Sequence, residues 1–350
     1  PVADPYWFRR SVFYEVLVRG FYDASGDGNG DLRGLTDKLD YLEWLGIDCL
    51  WLLPFYSSPL RDGGYDIADF YEVHPDFGTT EDAAHLIDEA HRRGIRVVAD
   101  MVVNHTSDQH PWFQESRQDR TNPKADWYVW GDDDQRWSEA RIIFTDTEAS
   151  NWSWDPVRGQ YYWHRFFHHQ PDLNYDNPDV QQAMLDVVTH WLGLGLDGFR
   201  LDAVPHLIEN DAVNWNDQPE SRALTKRLQD TIKAAPGRYV VCEATAEPQA
   251  YGDPAVCGGA FAFGVAYQLA MVLPLALGWA LAWPVLHTLT LQSAAASAVP
   301  RLRARSFAVP RGRMPKGSPV ATRSESPGRL HSRPSSVMGS VTAAPVSAEW

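Results

Sequence analysis

The run SVFYEVLVRGF (11–21) is an almost unbroken series of apolar, β-branched and aromatic residues and predicts a strand. The pattern then turns helical: Leu35, Leu39, Leu42 and Leu45 recur on one face until Gly46, which suits the left-handed turn that closes a helix. IDCLWLLPF (47–55) predicts a second strand. Residues 80–93 follow as a helix with Thr80 as N-cap, and after Gly94 the segment IRVVADMVVNH (95–105) gives a third strand. Near-continuous apolar strands alternating with helices mark a parallel sheet covered on both faces. Residues 106–176, rich in Trp, His and Asp, break the alternation and read as an irregular insertion projecting over one end of the sheet. A helix over 179–194, the strand LDGFRLDAV (196–204), a helix over 219–234 and the strand RYVVCEA (238–244) restore it.

These five βα-type strands carry their polar residues at their C-terminal ends, the catalytic face of a β/α barrel. A doubly wound open sheet also fits five strands, but no glycine-rich phosphate turn follows the first. The expected fold is therefore α/β: a (β/α)8 TIM barrel, incomplete in this chain, with an irregular subdomain inserted after strand 3. The first part of the barrel spans 1–105, the lid-like insertion 106–176, the barrel continuation 177–253 and an unlike tail 254–350.

Charge supports that division. The chain carries 46 acidic and 31 basic residues, a net of −15, but residues 255–350 hold only Glu325 and Glu349 against nine Arg and Lys. An acidic surplus argues against a nucleic-acid backbone as partner. Of the Trp, Tyr and Phe residues, 36 of 43 lie in the first 254 positions, where rings with polar tips suit a core and sugar-stacking platforms. Three cysteines are too few for a disulfide framework, and Cys49 and Cys242, within apolar runs, read as small buried hydrophobes. The first ten residues lack the apolar core of a signal peptide, so a cytoplasmic setting without a membrane partner is expected, and a homo-oligomer is compatible with it.

Three strand ends carry residues of catalytic type: Asp100, Asn104 and His105; Arg200 and Asp202; and Glu243. Arg200 and Asp202, two apart on a strand, share a side, and a guanidinium there would hold the carboxylate ionised as a nucleophile needs. Val240, Val241 and Cys242 precede Glu243 and would favour its protonated form, as a general acid needs. An isolated Arg-x-Asp is more often an ordinary ion pair; what favours catalysis is the joint occurrence at different strand ends. Two carboxyls in opposite environments at one mouth are the device of retaining glycosidases.

The segments DMVVNH (100–105), QPDLN (170–174), GFRLDAVPH (198–206) and CEA (242–244) resemble, in order and spacing, the motifs of the α-amylase superfamily, glycoside hydrolase family 13. WFRRSVFYEVLVRGFYD, YYWHRFFHHQPDLNYDNP and LRGLTDKLDYLEWLGID are similar to its trehalose synthase branch, which interconverts maltose and trehalose. The resemblance implies that Asp202 is the nucleophile and Glu243 the general acid/base. Tyr65, Asp66, His105 and Arg200 would grip the glucosyl unit of maltose, trehalose or another α-glucoside, with Gln170 contributing from the insertion. It also implies Ca2+ at Asn104, Asp172 and Glu209 with the carbonyls of His206 and Leu207, pinning the insertion to the barrel. In DASGDGNGD, Asp23, Ser25, Asp27, Asn29 and Asp31 offer oxygen donors for Ca2+ or Mg2+, although position twelve, Gly34, excludes an EF-hand. His164, His168 and His169 lack structural-zinc spacing. An α-glucosidase or amylase shares the same carboxylates, so hydrolysis is the alternative activity.

One departure weighs against activity. The superfamily uses a third carboxylate, an Asp in an Asn-His-Asp motif after the acid/base, yet no Asp follows Asp253 and no Asn occurs there either. A catalytically defective relative is thus a further alternative. From 254 to 300 no residue is charged, and beyond it Arg, Pro, Ser and Ala dominate. A membrane segment, a disordered basic tail and translation out of frame after about residue 270 compete, and the abrupt loss of acidic residues favours the last.

Overall fold

The computed structural model describes residues 4–209 and 216–263. The apolar run after 263 and the basic tail, with the three readings of them, lie outside the described residues.

In chain order the elements are β1 (Phe13–Val16), α1 (Leu32–Asp37), α2 (Leu39–Leu45), β2 (Cys49–Leu52), β3 (Tyr56–Ser57), β4 (Asp69–Val73), α3 (Thr80–Arg92) and β5 (Arg96–Val102). The insertion contributes α4 (Pro111–Ser116), β6 (Trp130–Gly131), β7 (Trp152–Asp155) and β8 (Gln160–Trp163). Then come α5 (Pro178–Gly193), β9 (Gly198–Asp202), α6 (Pro219–Ile232), β10 (Tyr239–Cys242) and α7 (Pro248–Gly252).

Five strands form one parallel sheet in the order β1-β2-β5-β9-β10, each joined to the next through helices, as the alternation predicts. Local chemistry sets the helix ends. Thr79, not Thr80, caps α3, in a reciprocal capping box with Asp82; the second of two adjacent threonines is already helical. Asp31 caps α1 by accepting from the Gly34 N–H, and Gly46 ends α2 at φ 84°. β1 is shorter than its apolar run because Val18–Gly20 tightens into a 3-10 turn.

The pleat sorts side chains between two faces. Phe13, Cys49, Val98 and Tyr239, from four strands, gather with Trp7 near the start of the strands. Trp7 stacks on Phe13 at 5.8 Å and donates from its indole to the Gly237 carbonyl at 2.7 Å, so the N-terminal segment plugs this end. Further along the same faces lie Asp100, Arg200, Asp202 and Glu243. Register places Asp100 and Val241 opposite Arg200 on either side. A Cβ at Gly198 would meet the Tyr239 carbonyl oxygen at 1.8 Å, so only glycine lets β9 and β10 pair here.

The insertion is more regular than its composition suggests: β6, β8 and β7 form an antiparallel sheet around Trp152 and Trp163. Backbone bonds zip its stem to the barrel, among them Leu173 N–H to Asn104 O at 3.0 Å and Asp108 N–H to His169 O at 2.9 Å. One cysteine reading is corrected. Cys49 is a free buried thiol, but Cys242 is bonded to Cys257, because the turn after α7 returns to pair with the end of β10. Among the described residues no helix is long and apolar enough to cross a membrane.

Candidate active site

Arg200 is the hub. Its Nη1 pairs with both Asp100 and Asp202, and its Nη2 lies 2.9 Å from Glu243 Oε2. Asp100 also accepts from the Trp51 indole at 3.0 Å and from the Tyr65 hydroxyl at 3.3 Å. Three carboxyl groups therefore surround one guanidinium in a site where Asp100 is wholly buried and Asp202 nearly so. Burial works to lower the Arg200 pKa, but Asp202, Asp100 and Glu243 together hold it above the ordinary value. Burial pushes Asp202 up; Arg200 opposes it, and the Glu243 and Asp100 charges add to the rise. Asp100 is raised to about 6, again mainly by burial against the pull of Arg200. One permanent cation thus faces three acids, and Asp100 and Asp202 are both held above the ordinary carboxylate range.

Asp202 and Glu243 both pair with the Arg200 guanidinium, which gathers the two carboxyls around one cation. Such gathering suits the close spacing of a retaining pair better than the roughly 6.5–9.5 Å of an inverting one. The apolar setting expected for Glu243 is not what its carboxyl meets. Cys242 and Val240 alternate to the other face of the strand, and Glu243 instead faces Arg200 and accepts from the Ala203 N–H at 3.2 Å. Ala203 holds φ 50°, a left-handed conformation rare for a residue with Cβ, and this turn immediately follows Asp202.

The predicted sugar contacts fall into two groups. Tyr65 lies beside Asp100, its ring 5.8 Å from the Arg200 guanidinium carbon. His105 is fully buried, held neutral with a pKa lowered to about 3 by burial, and its ring sits 5.2 Å from Phe166 of the insertion. Asp66 and Gln170 are instead engaged by protein. Asp66 accepts from Ser58 Oγ at 2.9 Å and from the Arg61 and Asp62 N–H groups, both at 3.1 Å. The Gln170 amide donates to Asp62 at 2.8 Å and accepts from the Phe167 N–H at 3.1 Å, joining the insertion to the loop that carries Tyr65. Asp100, singled out from the sequence only as a residue of catalytic type at a strand end, is placed by the structure against Arg200. Trp51, Arg61 and Asp62 had no role in the sequence pattern.

The first proposed metal site is built from buried oxygens. Asn104 Oδ1 and Asp172 Oδ2 have no hydrogen-bond partner, and burial raises Asp172 to about 8. Asp172, His206, Leu207 and Glu209 line one cavity of about 140 Å³. Arg165, buried, lies 3.1 Å from Glu209 and offsets one of the two carboxylates. An amide oxygen, two carboxylates and carbonyls suit a hard cation, so the residues fit Ca2+. In the 23–31 loop, Asp23 accepts from the Gly26 and Gly28 N–H groups at 2.6 and 2.8 Å, and Asp31 is committed to Ala24, Ser25 and Gly34. Asn29 accepts from Arg19 at 3.2 Å, and Asp27 from the Asn29 N–H at 2.8 Å. Among the described residues no three His, Cys, Asp or Glu side chains gather to hold a metal.

Residues 15–281 match the alpha-amylase catalytic domain. The chain is 63% identical over 257 residues to the trehalose synthase/amylase TreS of Mycobacterium tuberculosis, covering 72% of this chain and 43% of that protein. It is 58% identical over 246 residues to the trehalose synthase of Pimelobacter sp., again covering 43% of the relative. Among solved structures, an alpha-glucosyl transfer enzyme, XgtA, superposes with a TM-score of 0.68 at 39% identity, over 73% of this chain and 54% of that one. The chain thus spans under half the length of these curated relatives.

Proposed function

The chain belongs to the α-amylase family, and on that premise we propose that it acts on α-glucosides with retention, interconverting maltose and trehalose. The observation that carries the reading is the sharing of the Arg200 guanidinium by Asp202 and Glu243 at the ends of adjacent strands. An Asp202 oxygen attacks the anomeric carbon as the bond to the leaving oxygen breaks, and Glu243 gives that oxygen its proton. The result is a β-glucosyl ester. The released glucose then attacks through its anomeric hydroxyl, Glu243 takes the proton, and Asp202 departs. Isomerisation needs glucose to be kept and water excluded, a task for the aromatic face of the insertion, where Phe166 packs on His105 and His206.

The reading includes a structural Ca2+ held by Asn104, Asp172 and Glu209 with the carbonyls of His206 and Leu207, supported by the unpartnered oxygens there. Such an ion neutralises buried carboxylates and ties the insertion to the barrel. A second Ca2+ or Mg2+ at Asp23, Ser25, Asp27, Asn29 and Asp31 belongs to the same reading, as does a cytoplasmic setting. Hydrolysis is the second reading on the same carboxylates. A defective site is the third, favoured by one observation: no Asp follows Asp253 to supply a further transition-state contact. Chromatography of products from maltose separates the three: trehalose as main product, glucose alone, or no turnover. Absence of trehalose would sink the isomerase reading.

A further inference from the structure

Arg61 belongs neither to the core nor to the cluster around Arg200, yet it joins the loop that carries Tyr65 to the stem of the insertion. The segment SPLRDGGYD (58–66) is wound back on its own last residue, because the fully buried Asp66 accepts from Ser58 Oγ and from the Arg61 and Asp62 N–H groups. That winding holds Leu60 at φ 57°, a conformation that a residue with Cβ keeps only where its surroundings fix it. The Tyr65 N–H closes the far side of the loop on the Asp62 carbonyl at 2.9 Å. The backbone of Arg61 is thereby fixed relative to Tyr65.

Its side chain reaches the insertion. The guanidinium pairs with both Asp108 oxygens, one of them through Nη1 at 3.2 Å, and Nη2 donates to Ser107 Oγ at 3.1 Å. Nε stays 3.5 Å from Asp66. Ser107 and Asp108 lie where the insertion begins, and the Asp108 N–H bonds the carbonyl of His169 near its end. One side chain thus grips the stem where its two ends meet. Burial works to lower the Arg61 pKa, but Asp108 and Asp66 hold it above the ordinary value.

We propose that Arg61 is a positioning residue, a clasp between the Tyr65 loop and the insertion that sets how the glucosyl-enzyme divides between glucose and water. The inference rests on the α-glucoside reading above and deepens it. Once Asp202 carries the glucosyl group as an ester, the anomeric hydroxyl of the retained glucose and a water molecule compete for the same carbon. In both cases Glu243 takes the proton and the Asp202 oxygen departs, giving trehalose with one and glucose with the other. The two outcomes share every reacting group. What divides them is how long glucose is held and how much water enters, and that depends on how firmly the insertion lies against the loop.

The test is the ratio of glucose to trehalose formed from maltose by the full chain and its variants. The Arg61 and Asp108 side chains are 34% and 31% exposed, so replacing them opens no cavity in the core. Arg61→Met keeps the length and loses the charge, and the ratio should rise about fivefold, the upper end for a partly exposed ion pair. Arg61→Lys should restore only part of the parent ratio, since one ammonium lacks the fork that spans both Asp108 oxygens and Ser107. Asp108→Asn, which weakens the pair from the insertion side, should move the ratio the same way. The double variant should do no more than Arg61→Met alone. An unmoved ratio in Arg61→Met, fully additive effects in the double variant, or a parallel fall of both products overturns the clasp. A parent chain that forms no trehalose refutes the isomerase reading and takes the clasp with it, whereas trehalose formed at an unmoved ratio refutes the clasp alone.

Discussion

Replacing Arg200 with Met removes the one cation shared by Asp100, Asp202 and Glu243. Stripping a buried ion pair of one partner costs about 3–5 kcal/mol, because the remaining charge stays desolvated. At about 2–4 °C per kcal/mol for a chain of this size, melting should fall by roughly 6–20 °C at pH 8. The penalty should shrink on acidification. Asp100 titrates near 6 when folded against an ordinary 3.8, and loss of Arg200 raises it and Asp202 further. A carboxyl whose folded pKa is raised favours the folded state fully below its unfolded value, and that contribution is lost as pH rises through the folded value. The difference between variant and parent should therefore be larger at pH 8 than at pH 5. Adding Asp202→Asn to Arg200→Met should recover part of the loss at pH 8. Differential scanning fluorimetry across pH reads all of this. An equal or larger deficit at pH 5, or no recovery in the double variant, would refute the hub assignment.

Three other expectations follow from single features. Cys242 and Cys257 close a loop of sequence separation 15, so Cys257→Ser or a dithiol reductant should cost about 3 kcal/mol; an unchanged melt under reductant would remove the disulfide from the account. Ca2+ should raise the melting temperature of chelator-treated protein, and Asp172→Asn should abolish the rise; a response intact in that variant places the ion elsewhere. His91 has a raised pKa, chiefly through its 2.8 Å hydrogen bond to Asp197. Its contribution is complete below the ordinary histidine value and lost as pH rises through the folded one, so His91→Gln should destabilise more at pH 5.5 than at pH 8.5 in chemical denaturation.

Sequence pattern reached the sheet because buried parallel strands are apolar throughout, as in the runs around Val97–Val102 and Phe199–Leu201, and because Gly46 and the proline-led helices mark their own ends. It stopped at features set by distant partners. The strands β6, β7 and β8 are two to four residues long, too short for alternation to register, and acquire meaning only from Trp152 and Trp163 packing between them. Cys257 meets Cys242 only because the chain turns back after α7. The carboxylate pair was legible as residues but not as an environment: Val240 and Cys242 precede Glu243 in sequence but lie on the other face of the strand. Arg165, a buried charge opposite Glu209, gave no signal at all, since nothing in WHRFF distinguishes it from a surface arginine.

A nucleophilic Asp202, poised by Arg200 beside Glu243, should be trapped by a slow fluorinated α-glucosyl fluoride. Peptide mass spectrometry after incubation should then show a gain of one fluorinated glucosyl residue on the peptide containing Asp202, absent from Asp202→Asn. Label on any other residue, or turnover of that substrate by Asp202→Asn at the parent rate, would contradict it.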